Sequence, residues 1–196
     1  MKSFIFIIFL SVILTGCFSP VKMTPPKTYL LTDMPAVKTY KHKRGGTLLV
    51  VPPEASAAFY TKEMAYSLKT YQLSYFARNR WAETPSQMLY PLIIQTLQNT
   101  HYFHAVVTST YLGHYNYLLK TQLLDLQQDF THHPILYHLV LRAQLSNAGG
   151  RVIAVKQFDI AVPVRQANPY AGVIAANRAT EIMLRKLAYF CLKNLK

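Results

Sequence analysis

From residue 115 to residue 162, apolar and polar side chains alternate through three successive runs. Alternation at period two is the mark of strands with one face buried. The first run, 115–126, carries Tyr115, Tyr117, Leu119, Thr121 and Leu123 on one face. At Leu123-Leu124 the phase slips, and Leu124 and Leu126 carry it onward, as a β-bulge would produce. The second run holds Ile135, Tyr137, Leu139, Leu141, Ala143 and Leu145. Asn147-Ala148-Gly149-Gly150 supplies a turn, and Val152, Ala154, Phe158, Ile160 and Val162 continue on a return strand, with Lys156 as the odd member. These three runs predict an antiparallel meander.

Elsewhere the strands are shorter. Tyr29-Leu30-Leu31 predicts a first one. Gly45-Gly46 and Pro52-Pro53 bracket Thr47-Leu48-Leu49-Val50-Val51, a β-rich run between breakers. Further strands are predicted at 64–67, from Tyr71 toward Trp81 (Tyr71, Leu73, Tyr75 and Ala77 alternating, with Phe76 as an exception), and at 103–107. Two segments switch to helical period. Thr84 caps the first, Pro85 suits its first position, and Gln87 can close a capping box. Leu89, Leu92, Ile93, Thr96 and Leu97 form its stripe. Asn168 and Pro169 start the second, whose inner stripe is Val173, Ala176, Met183, Leu187 and Phe190. The expected fold is α+β: an antiparallel or mixed sheet with two helices packed on one face.

The start of the chain decides the compartment. Lys2 precedes an apolar run from Phe4 to Leu14, followed by Leu14-Thr15-Gly16-Cys17. A basic start, a brief apolar core and small residues before a cut describe a secretory signal peptide. The run falls short of the about 20 apolar residues that span a bilayer. Leu-Thr-Gly-Cys resembles the lipobox of bacterial lipoproteins, which implies cleavage before Cys17 and its acylation. The competing reading is an N-terminal anchor helix with an incidental cysteine. Residues 18–28 hold three prolines and no periodicity, and read as a semi-extended linker. The expected organisation is therefore signal peptide 1–16, lipidated tether 17–28 and one domain over 29–196. Acylation of Cys17 leaves Cys191 alone, so no intramolecular disulfide is expected.

Composition narrows the partners. The chain is 51% hydrophobic, which argues against disorder, and sets 21 Lys and Arg against 8 Asp and Glu. For an exported chain such charge points to anionic lipid head groups, cell-envelope polymers or acidic protein faces, not to nucleic acid. The densest cluster is Lys38, Lys41, Lys43 and Arg44, either a solvated segment or a membrane- or partner-facing patch. Chemistry is sparse. No carboxylate dyad, phosphate loop or Gly-x-Ser-x-Gly elbow appears, so no enzyme, cofactor or metal is expected. His101 with His104, and His132-His133, read as surface histidines with no Cys, Asp or Glu to complete a ligand set.

One segment is more specific. Leu73-Ser74-Tyr75-Phe76-Ala77-Arg78-Asn79-Arg80-Trp81-Ala82-Glu83-Thr84-Pro85, followed by a helix and preceded by the lipobox, linker and Leu-Val strand, resembles the ABC-type transport auxiliary lipoprotein family, which includes the PqiC-like lipoproteins. The resemblance implies a periplasm-facing lipoprotein, with the outer membrane favoured. It also implies an MCE-type substrate-binding protein and an ABC permease as partners, and docking in intermembrane lipid transport as the role. Homo-oligomerisation stays open. Arg78, Arg80 and Trp81 are candidate contacts beside the Lys38, Lys41, Lys43 and Arg44 cluster, although for Trp81 sealing the sheet–helix junction is the favoured role. The rival readings are a structural lipoprotein of another envelope machine and a lipid carrier with its own cavity.

Overall fold

The computed structural model describes residues 25–195. The signal peptide, Cys17 and most of the linker lie outside them. Nine strands and two helices build the domain: β1 Lys27–Tyr29, β2 Gly45–Val50, β3 Glu54–Ala55, β4 Glu63–Ser67, β5 Ser74–Trp81, α1 Pro85–Asn99, β6 Phe103–Thr108, β7 Tyr117–Asp129, β8 Leu136–Asn147, β9 Val152–Pro163 and α2 Pro169–Asn194.

β7 organises the sheet. At roughly 3.3 Å per residue its 13 residues reach about 43 Å. One edge pairs antiparallel with β8, and β8 pairs antiparallel with β9, which is the expected meander. The other edge receives three short strands in succession, all parallel to it: β2 at Tyr117–Leu119, β3 at Gln122–Leu123 and β4 at Gln127–Asp129. Past β2 lies β6, parallel. Past β4 lie β5, antiparallel, and then β1, parallel to β5. The register of β7 on β8 shifts between Leu123 and Asp125, where the sequence phase slips. A bulge there adds local twist, and the mixed sheet is curled.

Burial follows the alternation. Leu119, Thr121 and Leu123 point into the core, and after the bulge Leu126 and Gln128 do. Tyr137, Leu139, Leu141, Ala143 and Leu145 of β8 match them, with Phe158 and Ile160 on β9. The long helix α2 packs across β8 and β9 on this face, while α1 packs against β6 and α2. The α+β class stands as expected, with α2 the helix that covers the sheet. Every residue of both expected helical stripes is buried.

The local start signals act as read. Gln87 Oε1 accepts from the Thr84 amide at 3.1 Å and from its hydroxyl at 2.8 Å. Asn168 Oδ1 accepts from the Ala171 amide at 2.9 Å. The segment before Trp81 departs from expectation. Tyr71 has φ of 65° and lies in a turn, so β5 begins only at Ser74. Tyr75 is exposed and Ala77 faces outward with it, whereas Phe76 turns in and stacks on Tyr66 with ring centroids 4.4 Å apart.

Candidate functional site

The sequence-derived contact residues divide between two places. Trp81 is 1% exposed and ends β5, with its amide donating to Lys62 O at 2.7 Å. It seals the sheet where α1 begins, so it offers no contact surface. Arg78 and Arg80 are exposed on the same strand, and Arg80 stands in register with Glu63 on β4 and Thr28 on β1.

The basic cluster is built differently. Residues 38–44 run along the α1–β6 connection and are bonded to it. The Tyr40 amide donates to Thr100 O at 2.9 Å, the Arg44 amide to Tyr102 O at 2.8 Å and Lys43 Nζ to His104 O at 2.7 Å. Tyr40 is half-buried, edge-on to Tyr102 at 5.1 Å, with Lys38 Nζ 5.2 Å and the Arg44 guanidinium 5.8 Å from its ring centroid. Cations over an aromatic face are held by the ring quadrupole. Tyr102 in turn donates to Leu195 O at 2.5 Å, which ties the end of α2 to the same corner. Burial pushes the Tyr102 phenol upward, with Tyr40 and Tyr117 adding to the effect and Arg44 opposing it.

This corner frames a cleft of about 480 Å³ between the 36–40 segment and the C-terminal half of α2. Its apolar wall is Ala36, Val37, Ala188, Tyr189 and Leu192, and its rim carries Lys38, Arg185 and Lys193 with no acid among the lining residues. A second cleft of about 590 Å³ also borders Tyr189, against Lys156, Phe158, Asp159 and Lys186 of the β9–α2 margin. Tyr189, 67% exposed, stands between the two and shares both with Arg185. Clefts in this volume range are ligand-sized. In the first cleft, where Arg185 also meets Glu181 at 3.4 Å, an apolar floor under Lys38 and Lys193 suits an anionic amphiphile or an acidic, apolar-tipped protein segment.

Lys38 thus joins the cleft, while Arg78, Arg80 and Trp81 line neither opening. Arg185, Tyr189 and Lys193 were missed by sequence reasoning. Their signal is the four-residue spacing, which puts all three on one outer helix face. Cys191, on the inner face, is a free buried thiol whose pKa burial drives far upward. It is a packing residue and not a nucleophile. Among the described residues no helix is long and apolar enough to cross a membrane.

The chain matches the family model described as ABC-type transport auxiliary lipoprotein component over residues 29–188. No curated protein matches it. Among solved structures, protein XCC0632 from Xanthomonas campestris, of family model DUF330, is similar with a TM-score of 0.77 at 18% identity, covering 86% of this chain and 96% of that one. An uncharacterized protein is similar with a TM-score of 0.70 at 14% identity, covering 85% and 99%. At these identities the likeness speaks for the fold alone.

Proposed function

The chain belongs to the ABC-type transport auxiliary lipoprotein component family, and from that premise we propose that it docks an MCE-type lipid-transport assembly to the envelope membrane that holds its acylated Cys17. The outer membrane is the favoured location, with the domain facing the periplasm. The work is tethering, not chemistry. Confinement to a surface raises the local concentration of the domain around a partner's end, with no new contact needed. More than one acyl chain on Cys17 gives stable anchoring.

The observation that carries the reading is the cleft beside Tyr189. It pairs an exposed aromatic and an apolar floor with Lys38, Arg185 and Lys193. Aromatic and arginine anchors dominate binding energy at protein interfaces. The cationic rim favours an acidic partner face and speeds encounter. Arg78 and Arg80, exposed on β5 and outside both clefts, are a separate candidate contact.

A photo-crosslinking residue in place of Tyr189 tests this in intact envelopes. Recovery of an MCE-type or permease component on that residue supports docking. Recovery of a secretion or pilus component instead moves the protein to the rival class. A phospholipid crosslinked at Tyr189, with no protein, favours the lipid-carrier reading.

A further inference from the structure

The hairpin of β7 and β8 gathers three ligand-type side chains on one face. Asp129 ends β7, His132 sits in the following turn and His138 lies on β8. His138 pairs with Gln127, so it stands diagonal to Asp129 on one sheet face. Asp129 Oδ2 lies 3.3 Å from His132 Nε2 and 3.7 Å from His138 Nε2. All three ligand atoms fall within 4.8 Å of one another. By sequence pattern alone His132 is a surface histidine with no completing ligand set. Asp129, three residues earlier, and His138, brought in by strand pairing, complete one.

We propose that Asp129, His132 and His138 form a zinc-type divalent metal site that staples the β7–β8 hairpin. Four features carry it. Ligand atoms held about 2.0–2.1 Å from a tetrahedral zinc stand roughly 3.3 Å apart, which the two shorter edges approach. Two imidazoles and one carboxylate suit zinc and its neighbours, whereas calcium and magnesium take oxygen sets. The carboxylate is already aimed: Oδ1 accepts from the Thr131 amide at 2.8 Å and from its hydroxyl at 2.7 Å, leaving Oδ2 for the imidazoles. Outer hydrogen bonds of this kind orient metal ligands. Finally, His138 Nε2 is buried and makes no hydrogen bond, since 3.7 Å to Asp129 is too long for one. A buried ring nitrogen facing a carboxylate across that gap lacks a partner, which a bound cation would supply.

The His132 side chain is half exposed, so the turn can close the remaining edge and the fourth position opens to water. The site is remote in chain order from the docking cleft and independent of the proposed function.

Zinc titration of the full chain in detergent, by competition with a chromophoric chelator, tests the site, with thermal unfolding as a second readout. One zinc per chain and a zinc-dependent rise in Tm are expected. His132→Gln, in its exposed turn, and His138→Gln each weaken binding at least tenfold and abolish the rise. Thr131→Val, which touches no metal, weakens it about tenfold. His101→Gln and His104→Gln leave it unchanged. If zinc neither competes nor raises Tm, or if His132→Gln and His138→Gln bind as the parent does, the site is an ion pair only and the proposal fails.

Discussion

Asn177, on α2, holds the wall of the cleft beside Tyr189 from a distance. Its Oδ1 accepts from the amides of Thr32 at 2.8 Å and Asp33 at 3.2 Å. Its Nδ2 donates to Leu30 O and to Val173 O, both at 3.1 Å. Three of these bonds fix the segment that leads into Ala36–Tyr40. Asn177→Ala removes them together. A net contribution of about 1 kcal/mol per bond sets an upper figure near 3. Thr32 and Asp33 are exposed, so water can replace part of the loss, and about 2 kcal/mol remains. For a domain of this size that lowers Tm by about 4–8 °C. It also raises amide exchange at Thr32 and Asp33 by about thirtyfold, because the opening is local. Hydrogen exchange with mass spectrometry on the peptide spanning 30–40, beside a thermal melt, measures both. Unaltered exchange there, with Tm within about 1 °C of the parent, would refute the clamp.

Trp81→Ala should cost about 3–5 kcal/mol in urea unfolding, as loss of a buried indole does, while Arg80→Ala stays within about 0.5 kcal/mol. A tolerated Trp81→Ala would return that ring to the list of contact residues. Cys191 should resist alkylation in the folded chain and react in denaturant, since burial raises its thiol pKa and hides the sulfur. Modification under native conditions would contradict its place in the core. Asp125 has one buried carboxylate oxygen without a hydrogen bond, and burial raises its pKa against the opposing Gln127 bond. A raised folded pKa contributes stability that is present at low pH and lost as pH rises through it. Asp125→Asn should therefore raise Tm at pH 7, with the gain shrinking on acidification through the carboxylate range; a gain that persists at low pH would rule out ionisation as the cause.

Local patterns were legible where one residue type did one job. Thr84, Pro85 and Gln87 start α1, Asn168 and Pro169 start α2, and the slip at Leu123-Leu124 marks the register shift, all within a few residues of chain. β3 and the 3-10 turn at Ala57–Phe59 were not foreseen, because segments of two and three residues carry no period. β1 was expected at 29–31 and lies at Lys27–Tyr29, since pairing with Asn79–Trp81 and not hydropathy sets its register. The succession of β2, β3 and β4 along one edge of β7 depends on partners more than sixty residues away, which no local signal encodes. The cleft shares that origin, whereas the histidine set needs only the local β7–β8 pairing. Lys38 comes to face the same cleft as Arg185 only after the domain is assembled, and His138 reaches Asp129 once β7 and β8 pair.

β9 carries a consequence for assembly. Its twelve residues pair with β8 alone among the described residues, so every second one turns its amide and carbonyl to an open flank. Lys156 interrupts that flank and Pro163 stops it, but Val152, Ile153 and Val155 lie exposed at its start. Two copies meeting there head to foot would merge their sheets and halt at a pair. A copy meeting the β6 or β1 border of its neighbour would repeat the contact, into a ring where the rotation closes and an open filament where it does not. With the anchor proposed at Cys17, either closure keeps every tether on one side only if its rotation axis stands upright on the bilayer, so a shared anchor plane would sort admissible assemblies from forbidden ones.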